Sequence, residues 1–268
     1  MRIKNLLIPY LAFAAGLGGL ALRRLELTAG VDADGLPVAS VPGTALLALS
    51  AAVLVLAAVA AWRIVRDRTA PADYAGAFPM PGKVLFALAC AAGAAMLVLV
   101  PLEARAVLGA TALRALPNLL LLLFAELTAL SVPVLAWTAY RGKGGPASHL
   151  FALIPPLFFC YLLIAVYRAN GANPFLREFM WPCLACMAAA LAAYYAAGFP
   201  FGRPKPAFAL LAHLLAVYLL TLTLIDLTTL PGRIAALLFI QALCLRTARL
   251  LGALTPKDAG VSPEPPAA

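Results

Sequence analysis

Eight apolar runs, each about as long as a bilayer is thick, leave this chain few architectures to choose from. A helix rises about 1.5 Å per residue, so about 20 mostly apolar residues are needed to cross a hydrocarbon core about 30 Å thick. Runs of this kind cover 5–22, 44–65, 84–102, 116–140, 149–167, 181–201, 207–230 and 234–251. In lipid every backbone N–H and C=O must find its partner within the segment, which makes each run a helix. The sequence therefore predicts an all-α, polytopic transmembrane helical bundle of eight spans. One transmembrane domain covers 1–254, and 255–268 reads as a disordered cytoplasmic tail. The eighth run is interrupted by Arg246 and Arg249, so seven spans plus an interfacial C-terminal helix is the alternative. The longest connections, 23–43 and 66–83, are too short to fold independently.

Composition closes off other classes. With 64% hydrophobic and 12% charged residues, the chain lies far from a soluble domain, which has roughly 45–50% apolar and about 25% charged residues. Disorder requires the opposite balance, low hydrophobicity with high net charge. The formal charge of +9 does not point to nucleic acid, because the basic residues punctuate apolar runs rather than forming a stripe. The first run reads as an uncleaved span, since it ends on Arg23 and Arg24 without an A-x-A-like exit.

Basic residues also orient the spans. With the N-terminus in the cytoplasm, thirteen of the twenty Lys and Arg residues fall on the inner side and seven on the outer, and all five lysines are inner. Both termini are then cytoplasmic. Trp62, Trp137 and Trp181 each fall at a predicted span end, where amphipathic rings favour the interface. Glycine and alanine in FAAGLGGLAL and LACAAGAAML read as close helix packing.

Against this background Glu126 stands out. It lies in NLLLLLFAELTALSVPVLAW, roughly 15 Å from Leu116 by helical rise, and an ionised carboxylate at mid-membrane costs at least about 2.5–3.5 kcal/mol. Residues of this kind usually face the bundle interior or a wet cavity and pair with something. Tyr161 and Gln241 lie at comparable depth and are the candidate partners, with Thr128 and Ser131 nearby on the same helix. One reading is a neutral carboxyl hydrogen-bonded inside the bundle; the other is a proton or cation site. Asp226, expected near the outer end of span seven, has Arg233 beyond a Pro-Gly turn as its expected partner.

Arginine stands beside acid repeatedly on the expected outer side: Arg23 and Arg24 with Glu26, Glu103 with Arg105, Arg177 with Glu178. These read as surface pairs of small energetic value, or as a guanidinium rim of Arg105, Arg168, Arg177 and Arg233 suited to phosphate or carboxylate. Cys183 and Cys186 form a C-x-x-C at the expected outer end of span six, a pattern that can exchange with thiols. A relay needs a second pair in an outer loop, and the sequence has none there. With only His149 and His213, no H-E-x-x-H and no phosphate-binding loop, no metal or other cofactor is expected. GVDADG lacks the third acidic position of a calcium loop and reads as a turn-rich hairpin of loop.

The passage LRRLELTAGVDADGLPVASVPGTALLALSAAV resembles uncharacterised multi-pass integral membrane proteins of anaerobic Gram-positive bacteria. The resemblance covers about the first quarter of the chain and implies a bacterial cytoplasmic membrane; it brings no activity and no functional residues. From the residues, three functions are open: small-solute or ion handling through an outward-open polar cavity around Glu126, a non-catalytic scaffold or partner-binding subunit, and a thiol oxidoreductase using Cys183 and Cys186. The lipid bilayer is the expected partner, and enzymatic activity is the less expected outcome.

Overall fold

A computed structural model of the chain describes residues 3–29, 40–171 and 176–256, with the side chains of 3–4, 110 and 176–178 left aside. The GVDADG loop, the Arg177–Glu178 pair and most of the expected tail lie outside these bounds. Eight helices are long and apolar enough to cross a membrane. They are α1 (Ile3–Ala29), α2 (Val41–Val65), α4 (Lys83–Leu113), α5 (Leu116–Arg141), α6 (Pro146–Ala169), α7 (Leu176–Ala197), α8 (Pro206–Leu222, continued by a 3₁₀ turn, Thr223–Ile225) and α9 (Leu230–Ala253). The protein is an integral, multi-pass, all-α membrane protein.

Local chemistry sets the ends. Ser40 accepts from the Gly43 N–H to start α2, and Thr229 does the same for Gly232 at the start of α9. Gly142, at φ 68°, closes α5 in the left-handed region open to glycine. Gly109, at φ 71°, kinks α4 near its end. Prolines inside α1, α4, α5, α6 and α7 are tolerated, as in membrane helices generally, because neighbours can satisfy the freed backbone groups.

Both ends of the described chain lie at one end of the bundle, called proximal here; the Asn5 amide lies close to Gly252. Helix α8 is the hub, packed against α7, α9, α1 and α2, while α4, α5, α6 and α7 follow in sequence and α4 returns to α9. The apolar core between these helices includes Phe159, Ala192, Ala216, Ile240 and Leu243. At the proximal end the 66–82 connection folds inward, not outward. Its short helix α3 (Tyr74–Ala77), capped by Asp73, buries Tyr74 and Phe78 against Phe199, Leu135 and Leu250. Arg68 and Thr69 pair in antiparallel register with Pro256 and Thr255, so the first two residues of the expected tail are tied to this connection.

Several expected boundaries shift. Helix α1 runs seven residues past Leu22, and the fourth-numbered helix runs to Gly109 before its kink. The seventh span stops at Ile225 instead of reaching Leu230. Helix α9 packs against α1, α4 and α8 and is long and apolar enough to cross, which fits an eighth span rather than an interfacial helix. Trp62 and Trp137 are 60% and 43% exposed and stack under Arg66 and Arg141. Trp181 differs: at 2% exposure it is packed with Leu46, Tyr218 and Leu222.

Candidate functional site

Glu126 is the eleventh residue of the 26-residue α5, in the middle third of the span. Its Oε1 is buried and has no hydrogen-bond partner among the described residues. Neither expected partner reaches it. The Tyr161 hydroxyl donates to the Pro117 carbonyl at 2.9 Å, and the Gln241 Oε1 accepts from the Tyr10 hydroxyl at 2.9 Å, linking α1 to α9. Thr128 and Ser131 bond back to the carbonyls of Phe124 and Thr128 on their own helix.

Where Glu126 sits on α5 explains this isolation. The buried face carries Thr128, Ala129, Ser131, Val132, Leu135 and Ala139. Glu126 falls instead in a row stepping four and three residues through Leu119, Leu123, Leu130, Pro133 and Trp137. Of these, Leu119, Leu123, Leu130 and Trp137 are 44%, 52%, 37% and 43% exposed. Pro133 is the exception, held against α4, where a side chain at Gly93 would meet its Cδ at 2.6 Å. Glu126 thus lies on the shoulder between the α4 contact and the outward face, not in the bundle interior.

The acidic and basic groups at the distal end pair differently from expectation. Asp226 meets Arg23, whose Nη2 lies 3.5 Å from its Oδ1, while Arg23 Nη1 donates to Glu26 at 3.0 Å. Arg23 is 1% exposed and Glu26 8%, with Asp226 part-buried beside them, so a buried pair extended by a third group stands where surface pairs were expected. Arg233 donates instead to the Leu227 carbonyl at 2.8 Å. Burial pushes the Asp226 carboxyl above its ordinary range and Glu26 adds to this, while Arg23 pulls the other way.

Of the rim arginines, Arg105, Arg168 and Arg233 are exposed. Arg105 shares a cavity of about 340 Å³ with Arg114, Leu113 and Leu119; Glu126 does not line it. Cys183 and Cys186 are both free thiols, and Cys186 is packed in the core at 6% exposure. His213, which no motif marks, is fully buried on α8, with Nδ1 on the Ala209 carbonyl and Nε2 unpartnered. A lone histidine inside an apolar run carries no signal of its surroundings. Compared with known proteins, the chain matches no family model, no curated protein and no solved structure.

Proposed function

We infer that this chain is a non-catalytic assembly subunit that docks a second transmembrane helix on the outward face of α5, and that the occupant is a second copy of itself. The observation that carries this is the place of Glu126, half-buried at the centre of the row through the exposed Leu119, Leu123, Leu130 and Trp137. Steps of four and three residues keep a seam facing its partner in paired helices, and one polar residue in such a seam sets register. In membranes, hydrogen bonds between helices contribute about 0.6–2 kcal/mol. A two-fold axis along the membrane normal brings the same residue of both copies to one depth. A neutral carboxyl both donates and accepts, so Glu126 is complementary to itself.

A second reading, proton or cation handling, is favoured by the buried, unpartnered Oε1 taken alone. Two substitutions separate the readings. Energy transfer between labelled copies in vesicles, diluted with lipid, should report self-association for the native chain and for Glu126→Gln, and its loss for Glu126→Leu. A native chain that stays monomeric at every dilution sinks the assembly reading. Proton or cation flux into the same vesicles, abolished by Gln while association persists, favours the second.

We place the proximal end in the cytoplasm on the excess of lysine and arginine there, and the host membrane as a bacterial cytoplasmic one on the resemblance of the first quarter of the chain. A cysteine introduced at Lys143 should react with an impermeant maleimide only after permeabilisation; labelling of intact cells reverses the orientation.

A further inference from the structure

We propose that the distal cavity between the ends of α4 and α5 binds the phosphate of an anionic lipid, held between the guanidinium groups of Arg105 and Arg114. The two arginines stand nine residues apart in sequence and line one cavity of about 340 Å³ because the chain reverses between them. The reversal is built into the chain. Gly109 takes a positive φ of 71°, the Arg114 N–H bonds the Thr111 carbonyl at 3.2 Å, and the Asn118 side chain donates to the Ala112 carbonyl at 2.8 Å. This turn leaves Arg114 lining the same cavity as Arg105.

Charge balance singles out this end. Neither Arg105 nor Arg114 forms an ion pair among the described residues. The acid nearest in sequence, Glu103, is turned away to the Gly232 N–H at 3.1 Å. Two arginines lining one cavity suit a phosphate, whose bidentate bonds fit the planar fork of the guanidinium.

Depth selects the source of the phosphate. Arg105 lies 22 residues along α4 from Lys83, about 33 Å of rise, which is the thickness of the hydrocarbon core and places the guanidinium at headgroup level. The remaining walls are Leu113 and Leu119. Below Arg105 on the same face of α4, Leu102 and Val98 are 50% and 60% exposed, an apolar track for an acyl chain beneath the headgroup. A soluble phosphate gains nothing from such a track. Arg168, at the distal end of α6, is exposed but does not line the cavity.

The test uses the full-length protein in a neutral detergent, titrated with short-chain phosphatidylglycerol, phosphatidylcholine or inorganic phosphate, and bound lipid counted by native mass spectrometry. Phosphatidylglycerol is expected to bind most tightly, with Arg105→Gln and Arg114→Gln each weakening it about fivefold. Arg168→Gln, which removes the same charge outside the cavity, is expected to leave binding unchanged. Val98→Asn, polar on the proposed track, is expected to weaken the lipid only. Equal loss in Arg168→Gln, or no loss in the Arg105→Gln, Arg114→Gln double variant, overturns the site. Inorganic phosphate binding as tightly as the lipid overturns the lipid assignment.

Discussion

The carboxylate of Glu103, on α4, caps the amino end of α9 by accepting from the Gly232 N–H at 3.1 Å. The first N–H groups of a helix have no intrahelical partner, and an acidic group there also opposes the positive end of the helix dipole. The glycine makes this possible: a Cβ at position 232 would stand 2.5 Å from the Glu103 Cδ. Thr229 Oγ1 accepts from the same N–H at 3.2 Å and remains when the carboxylate goes, so we predict that Glu103→Ala and Gly232→Ala each cost about 0.5 kcal/mol, the low end for a lost cap. Together they should cost little more than either alone, because both remove one bond. A double-mutant cycle of unfolding in mixed micelles reads this coupling; strict additivity would show that the two residues act separately.

Two glycines of α1 make a sharper comparison. A Cβ at Gly16 would meet the Thr221 Cβ at 2.6 Å and the Tyr218 carbonyl at 2.9 Å on α8, whereas at Gly18 nothing lies within 4 Å. Gly16→Ala should therefore push α1 from α8 at about 1–3 kcal/mol. Gly18→Ala should be neutral or gain up to about 1 kcal/mol from helix propensity. Thermal denaturation in detergent distinguishes them, and equal behaviour would refute the close contact.

Buried charge at the distal end predicts a pH effect. Span seven ends at Ile225, so Asp226 lies just outside it, facing Arg23 and, beyond that, Glu26. Desolvation by burial raises its folded value above the ordinary one, which means that the fold binds the proton more tightly than the unfolded chain does. This contribution to stability is fully present below the ordinary aspartate range and disappears as the pH rises through the raised folded value. Asp226→Asn should flatten this acid-side dependence, read as the melting temperature of both proteins against pH. Arg23→Gln, by contrast, takes the guanidinium from buried Glu26 and part-buried Asp226 together and should cost more than Asp226→Asn at neutral pH, about 3 kcal/mol.

The number of spans was legible because lipid imposes a length and a polarity that eight runs satisfy. Their ends were less so. A reading that stops a span at charge stops α1 before Arg23, yet that arginine is shared between Glu26, one turn on, and Asp226, 203 residues away, and the helix runs on to Ala29. The pair with Glu26 is visible locally; no local pattern carries the contact with Asp226. The depth of Glu126 followed from counting residues, and the four-and-three row through it is visible in the sequence. That this row faces outward is not, because α5 is apolar on every side and lacks the polar face that orients a helix in water. The partners chosen by depth, Tyr161 and Gln241, were spent on Pro117 and Tyr10.

The contrast between Gln241 and Glu126 gives the last prediction. Gln241 holds the Tyr10 hydroxyl across α1 and α9 at 2.9 Å, so Gln241→Leu leaves a hydroxyl unsatisfied and should cost about 1 kcal/mol in the isolated chain. Glu126 Oε1 accepts no bond among the described residues, so Glu126→Leu removes a half-buried polar group from the shoulder of α5 and loses no partner there through that atom. In detergent dilute enough to keep the protein monomeric, that variant should be as stable as the native chain or more so. In vesicles at high protein-to-lipid ratio the order should reverse, because the native carboxyl then finds its counterpart on a second α5. Melting temperatures across a dilution series decide it: if Glu126→Leu destabilises the dilute monomer as much as Gln241→Leu does, the carboxyl serves the fold of the single chain, and the assembly reading fails.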